Sequence, residues 1–257
     1  MQNLPRIFIN EPLESGKQIP ISKDQLHYLQ KVMRTEKCLV FNAGKEFNAQ
    51  VAGSQLSVLD LTEHPDPSNN LIFAFAPIKQ SRMEEMLNAA TQMGVARLQP
   101  VITERTTERF PKWERIRKII IEASEQSGRN SVPELLPPIK FSEFVGANEN
   151  SPGNLIFADE RFAHEVFPSC GGVDASEVSR RGGSCNMREL NEPPRPAGTP
   201  PQEGNRDPTT VLIGPEGGFS PAEFSALDAS DAIGISLGKT ILRAETAAIA
   251  ALAKIID

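Results

Sequence analysis

The stretch from Thr210 to Ala251 constrains the fold most. It holds two glycine-rich turns, each following an apolar run and each leading into a helical pattern. The first reads Val-Leu-Ile-Gly-Pro-Glu-Gly-Gly-Phe-Ser-Pro-Ala-Glu-Phe from Val211 to Phe224. The second reads Ile-Ser-Leu-Gly-Lys-Thr-Ile-Leu-Arg-Ala-Glu-Thr-Ala-Ala from Ile235 to Ala248. Thr209–Ile213 is short, β-branched and uninterrupted, as a buried parallel strand should be. Pro215 fixes one φ angle and turns Gly214 away from helical geometry. Gly217 and Gly218 carry no side chain, so a ligand can press against bare backbone there. Ser220, Pro221 and Glu223 form a capping box with a proline start, so a helix begins at this point. The pattern is strand–turn–helix in an α/β fold, and the two glycines beside Glu216 favour a ligand site over a plain connection.

Gly238-Lys239-Thr240 has the look of the end of a phosphate-binding loop. That motif needs glycine five residues before Gly238, where the chain has Ile233. Nucleoside triphosphate binding is therefore not expected.

Together, and in this order near the C-terminus, Gly-Pro-Glu-Gly-Gly-Phe-Ser and Leu-Gly…Ile-Leu-Arg-Ala-Glu-Thr-Ala resemble the RsmE family. These are the small-subunit ribosomal RNA uridine-N3 methyltransferases of the SPOUT superfamily. The resemblance continues through Lys79…Arg82, Met93-Gly94-Val95, Thr103-Glu104-Arg105, Glu122 to Arg129 and Leu-Ile-Phe-Ala-Asp-Glu at Leu155–Glu160. It implies a parallel sheet with helices on both faces, a deep trefoil knot made by the C-terminal loops, and S-adenosylmethionine held there in a bent shape. It also implies a small N-terminal PUA-like RNA-binding module, a homodimer, and 16S ribosomal RNA of the small subunit as partner. The knot comes from the resemblance alone, since connectivity rules argue against knots.

The chain has 257 residues, enough for one large domain or two modest ones. No apolar run approaches the roughly 20 residues of a membrane helix, and Met1–Pro20 has no secretion-signal pattern. Cys38, Cys170 and Cys185 lack metal-ligand spacing, so no metal site is expected and reducing cytoplasm is the simplest compartment. A net charge of −6 argues against general nucleic-acid binding. Between Lys79 and Arg129, however, ten Lys or Arg face seven Glu, a local surplus of +3.

In order, residues 1–68 read as the β-rich module. Arg6–Ile9 is a strand, Cys38–Phe41 and Phe47–Val51 a hairpin across Asn42-Ala43-Gly44, and Gln55–Thr62 another strand. Ser22–Met33 is expected as one helix with Leu26, Leu29, Val32 and Met33 inward. Residues 69–257 form the second domain. A capping box at Ser81–Glu84 opens one helix, Lys112–Ser127 is another closed by Gly128, and Ala244–Ile256 a third. Pro168–Pro208 holds 13 Pro or Gly in 41 residues and reads as a flexible insertion. The last helix is apolar on most sides and calls for burial on more than one face.

The resemblance places the donor against Ile213, Gly214, Pro215, Glu216, Gly217, Gly218, Leu237, Gly238, Ile241, Leu242, Arg243 and Thr246. Arg6, His27, Tyr28, Arg34, Lys79, Arg82, Arg105 and Arg129 are the candidate RNA contacts. His27 and Tyr28 equally suit a local cap and simple packing. Methylation of uridine N3 needs the base anion favoured. Arg243 is always cationic and can hold a developing oxyanion. Glu245 either orients Arg243 or accepts the N3 proton. In the bland alternative, Arg243 simply pairs with Glu245 or Glu216. Two other functions stay open: a SPOUT methyltransferase for a different RNA position, or a non-catalytic RNA-binding or ribosome-assembly protein.

Overall fold

The computed structural model describes residues 4–108, 110–149, 155–161 and 208–256. The expected insertion at 168–208 lies outside them apart from Pro208.

The N-terminal part is a five-stranded sheet of β1 (Arg6–Phe8), β2 (Gln18–Pro20), β3 (Lys37–Asn42), β4 (Lys45–Ala52) and β5 (Gln55–Leu61), in the order β1-β3-β4-β5-β2. The β3–β4 hairpin turns through Ala43 and Gly44, both at positive φ (48° and 78°), as a two-residue hairpin loop requires. Ile7, Ile19, Val40, Phe47, Leu56 and Val58 alternate onto the inner face and form its core with Leu29.

Helix α1 (Lys23–His27) starts on a capping box between Ser22 and Gln25, then widens into a π-helical turn over Tyr28–Met33. This corrects the single-helix expectation. The wider turn rotates later positions off the helical stripe, so Leu29 is buried whereas Val32 is 60% exposed and Met33 39%.

The second part is a parallel sheet. Its path is β12 (Ile233–Ile235), β10 (Leu155–Ala158), β11 (Thr209–Ile213), β6 (Leu71–Phe75) and β7 (Arg97–Ile102); β8 (Glu134–Leu135) and β9 (Ile139–Lys140) both pair with β7. Helices α2 (Gln80–Gln92), α3 (Trp113–Ser127) and α6 (Ala244–Ile256) share one core with Phe73, Phe75, Val211 and Ile213. Helices α4 (Phe141–Glu149) and α5 (Pro221–Ala229) contribute to the other, with Ala74, Leu212, Phe157 and Phe219. Successive residues of β6 and β11 thus face opposite layers, and both faces are apolar, as a central parallel strand needs.

Helix α2 begins one residue before the expected capping box. Lys79 is its N-cap, without a side-chain cap bond, and its carbonyl accepts from Arg82 and Met83 N–H. At the other end of α3, Gly128 closes the helix at φ 81°.

The chain leaves β11 through α5 to β12, beyond β10. It then returns across the strand ends so that α6 packs on α2 and β11.

Candidate active site

The carboxyl ends of β6, β7, β10, β11 and β12 all open on the same side, where ligands gather in open α/β sheets. A cavity of about 440 Å³ lies there, within the roughly 300–1,000 Å³ of small-molecule sites.

The first turn is fixed from several directions. Gly218 N–H donates to the Pro215 carbonyl at 2.9 Å. Ser220 accepts from Glu223 N–H, and the Glu223 carboxylate accepts from Ser220 N–H at 2.9 Å, completing the capping box. The second Glu223 oxygen accepts from Glu104 N–H at 2.8 Å, tying the turn to the end of β7. Arg105 donates to the Gly217 carbonyl at 2.8 Å. Beneath the turn, Phe219 packs against Phe141, Phe157 and Phe224.

Two glycines here have a physical reason. Gly218 sits at φ 68°, and a Cβ on it would lie 2.4 Å from Glu160 Oε1. A Cβ on Gly214 would lie 3.1 Å from the Phe219 ring.

The second turn supplies Leu237, Gly238, Thr240, Ile241, Leu242 and Arg243 to the same cavity. Leu237 and Leu242 anchor it on the core, while Ile241 is 70% exposed. Lys254 Nζ donates to the Ser236 carbonyl at 3.1 Å, bracing the turn from α6.

Of the expected donor-binding residues, Ile213, Gly214, Pro215, Glu216, Gly218, Leu237, Gly238, Ile241, Leu242 and Arg243 line the cavity. Gly217 and Thr246 do not. The wall also holds Ala158, Asp159, Glu160, Phe219, Phe224, Thr240, Ala244 and Ala247. The sequence signal for Asp159 and Glu160 was the Ala-Asp-Glu end of a parallel strand. For Phe219 and Phe224 it was their place in the first glycine-rich run.

Arg82 links the two turns. Its Nη1 donates to Glu216 Oε1 at 2.8 Å, and its Nε lies 3.7 Å from Glu245 Oε1. Glu245 Oε2 is buried without a hydrogen-bond partner. Both carboxylates expected to neutralise Arg243 are thus engaged by Arg82, and among the described residues Arg243 makes no ion pair.

The RNA candidates separate. His27, Tyr28, Arg34, Lys79 and Arg105 are exposed, and Arg82 is half-buried. Two depart from the expectation. Arg129 is 1% exposed and donates to the Thr91 and Val95 carbonyls, both at 2.8 Å, and to Ser68 Oγ at 3.0 Å. Burial pushes its guanidinium below the usual arginine range. Arg6 bonds to Glu46 at 2.8 Å, to the Arg129 carbonyl at 2.9 Å and to Asn130 Oδ1 at 2.6 Å, and lies over the Phe41 ring. Arg6 joins the N-terminal sheet to the backbone at 129–130, and Arg129 ties that segment to the end of α2. Their positive charge suggested a surface role, but their partners are far away in the sequence.

A family model described as an RNA methyltransferase domain matches residues 64–178 and 187–256. A ribosomal RNA small subunit methyltransferase E from Rickettsia conorii is 31% identical, over 97% of this chain and 94% of its own length. The Synechocystis protein of the same name is 32% identical over 92% of this chain and 72% of its own. Among solved structures, the methyltransferase E of Neisseria gonorrhoeae, bound to S-adenosylmethionine, superposes with a TM-score of 0.73 at 26% identity, covering 98% of this chain and 97% of that one. A Legionella pneumophila protein, also solved with bound S-adenosylmethionine, gives 0.70 at 27% identity over the same shares. By fold, site geometry and sequence, the chain belongs to the ribosomal RNA small subunit methyltransferase E family.

Proposed function

We propose that this chain methylates N3 of a uridine in 16S ribosomal RNA, using S-adenosylmethionine. The observation that carries the reading is one cavity walled by both glycine-rich turns, with the uncompensated cation of Arg243 on its rim. The cavity suits the donor, because its volume is in the range of small-molecule sites.

When bound, the donor supplies an electrophilic methyl group on a sulfonium. The protein's part is positioning and charge. Backbone of Ile213–Gly218 and Leu237–Leu242 holds the donor. Arg243 stabilises the uracil oxyanion formed as N3 loses its proton. Glu245, beside Arg82 at the start of α6, either orients the cations of the site or accepts that proton. Arg82 holds Glu216 and Glu245 from the other side, keeping the two turns in register.

RNA enters over Lys79, Arg82 and Arg105, cations at or just beyond the carboxyl ends of β6 and β7. Residues 1–68 act as the PUA-like RNA-binding module, presenting His27, Tyr28 and Arg34. Residues 69–257 form the SPOUT methyltransferase domain. The enzyme works in the cytoplasm on the small subunit, as a homodimer. The exposed stripe of Thr246, Ile249, Ala253 and Ile256 on α6 supports the dimer.

The test is transfer of labelled methyl groups to small ribosomal subunits lacking the modification, followed by nucleoside mass spectrometry. The reading requires 3-methyluridine in 16S RNA. Methylation of another base or position gives the chain a different target, and no transfer leaves it a binding protein.

A further inference from the structure

Three carboxylates stand on the cavity wall beyond the strand ends, and two are already engaged. Glu216 is held by Arg82. Asp159, 3% exposed, is gripped by Arg161: the backbone N–H of Arg161 donates at 2.9 Å, and the guanidinium donates to both oxygens. Arg161 also donates twice to Asp228, each at 2.8 Å, and lies 4.2 Å over the Phe224 ring. On the other side, Asp159 N–H donates to the Ile235 carbonyl at 3.0 Å. The backbone at 159–161 is therefore fixed to both α5 and β12.

Between these anchors, Glu160 points into the cavity. Its carboxylate has no partner among the described residues, and it occupies the space that a side chain at Gly218 would take. The absent Cβ at Gly218 is what gives this carboxylate its place.

We infer that Glu160 accepts hydrogen bonds from the ribose hydroxyls of the adenosyl donor. The inference rests on the donor assignment above. The cavity crosses the sheet, with Arg82 and Arg243 on the side of α2 and α6, and Glu160 on the side of β10 and β12. The sulfonium must face the acceptor base, beside Arg243 and Glu245. That leaves the sugar nearer Glu160. Two carboxylate oxygens match two vicinal hydroxyls, and an acid beyond a parallel strand end reads ribose in this way in other nucleotide folds. The Asp159–Arg161–Asp228 network positions Glu160 and does not itself touch the ligand.

Titration calorimetry of the full chain tests this, with S-adenosylmethionine, S-adenosylhomocysteine and 5′-methylthioadenosine as ligands. All three carry the ribose; the second lacks the sulfonium charge and the third lacks the amino acid. Glu160→Gln should weaken all three by a similar factor, about tenfold. Glu160→Asp, with a shorter reach, should fall between, and neither variant should shift the melting temperature of the ligand-free protein. Equal affinity of wild type and Glu160→Gln for all three ligands overturns the assignment. Loss confined to S-adenosylmethionine places Glu160 at the sulfonium, and loss that spares 5′-methylthioadenosine places it at the amino acid. Either result overturns the assignment while leaving the donor reading intact. No binding of any ligand by the wild-type protein overturns both.

Discussion

Replacing Arg129 with alanine separates an anchoring arginine from an RNA contact. The side chain is 1% exposed and donates to two carbonyls at 2.8 Å and to Ser68 at 3.0 Å. The Val95 carbonyl lies just past the end of α2, and Thr91 is in its last turn. Truncation leaves the Val95 carbonyl unpaired in a site closed to water, while the Thr91 carbonyl keeps only its bond from Gly94 N–H. Each lost bond from a charged donor is worth about 1.5 kcal/mol or more. The guanidinium had itself given up hydration, as its lowered pKa indicates, and this offsets part of the sum. A net loss of about 3–4 kcal/mol results. At roughly 2–4 °C per kcal/mol for an ordered region of this size, the melting temperature falls by about 10 °C. Differential scanning calorimetry on Arg129→Ala beside Arg105→Ala is the assay. Exposed Arg105 has one carbonyl partner, so its variant should melt within about 2 °C of wild type. Should Arg129→Ala melt like wild type yet bind ribosomal RNA more weakly, the anchoring role is wrong.

Other expectations follow from the same geometry. Arg243→Ala should lower methyl transfer at least a hundredfold with a melting temperature near wild type; unimpaired turnover removes it from the chemistry. Arg161→Ala strands the buried Asp159 carboxylate and should cost about 3 kcal/mol in urea unfolding, whereas Asp228→Asn, at a half-exposed carboxylate, should cost under about 1 kcal/mol. Burial pushes the Cys38 thiol up to about 12, so iodoacetamide at pH 8 should leave Cys38 unlabelled until the chain unfolds, as peptide mass spectrometry will show. Ile249→Glu, on the exposed face of α6, should convert a dimer to a monomer in sedimentation velocity; an unchanged dimer excludes this face as the interface.

Local chemistry was legible where a residue acts on its own neighbours. The Ser220–Pro221–Glu223 start of α5, the Gly128 stop of α3 and the span of α6 follow from capping and from apolar content, and the structure has them as expected. Legibility failed where a rule of period was broken or a partner was distant. The helical stripe through Val32 and Met33 assumed 3.6 residues per turn, and the π turn from Tyr28 breaks it. The Ser81 box gave way to a helix start at Gln80. The first glycine turn could be read as a ligand loop from its residues, and the second only through the family resemblance. That Asp159 and Glu160 join them depends on β10 lying between β11 and β12, a strand order that no local pattern encodes. Likewise, Arg82 meets Glu216 across 134 positions, so the clasp between the turns emerges only in the folded chain.

Two glycine-rich turns, Gly214–Gly218 and Leu237–Arg243, wall a single cavity that we assign to the donor. Amide chemical shifts of the labelled protein, followed while S-adenosylmethionine is added, test it most directly. A shared donor site gives saturable shifts at both Gly214–Gly218 and Leu237–Ala244, with Glu160 moving alongside them. Shifts at only one turn, or centred instead on the cleft beside Trp113 and Arg117, would contradict it.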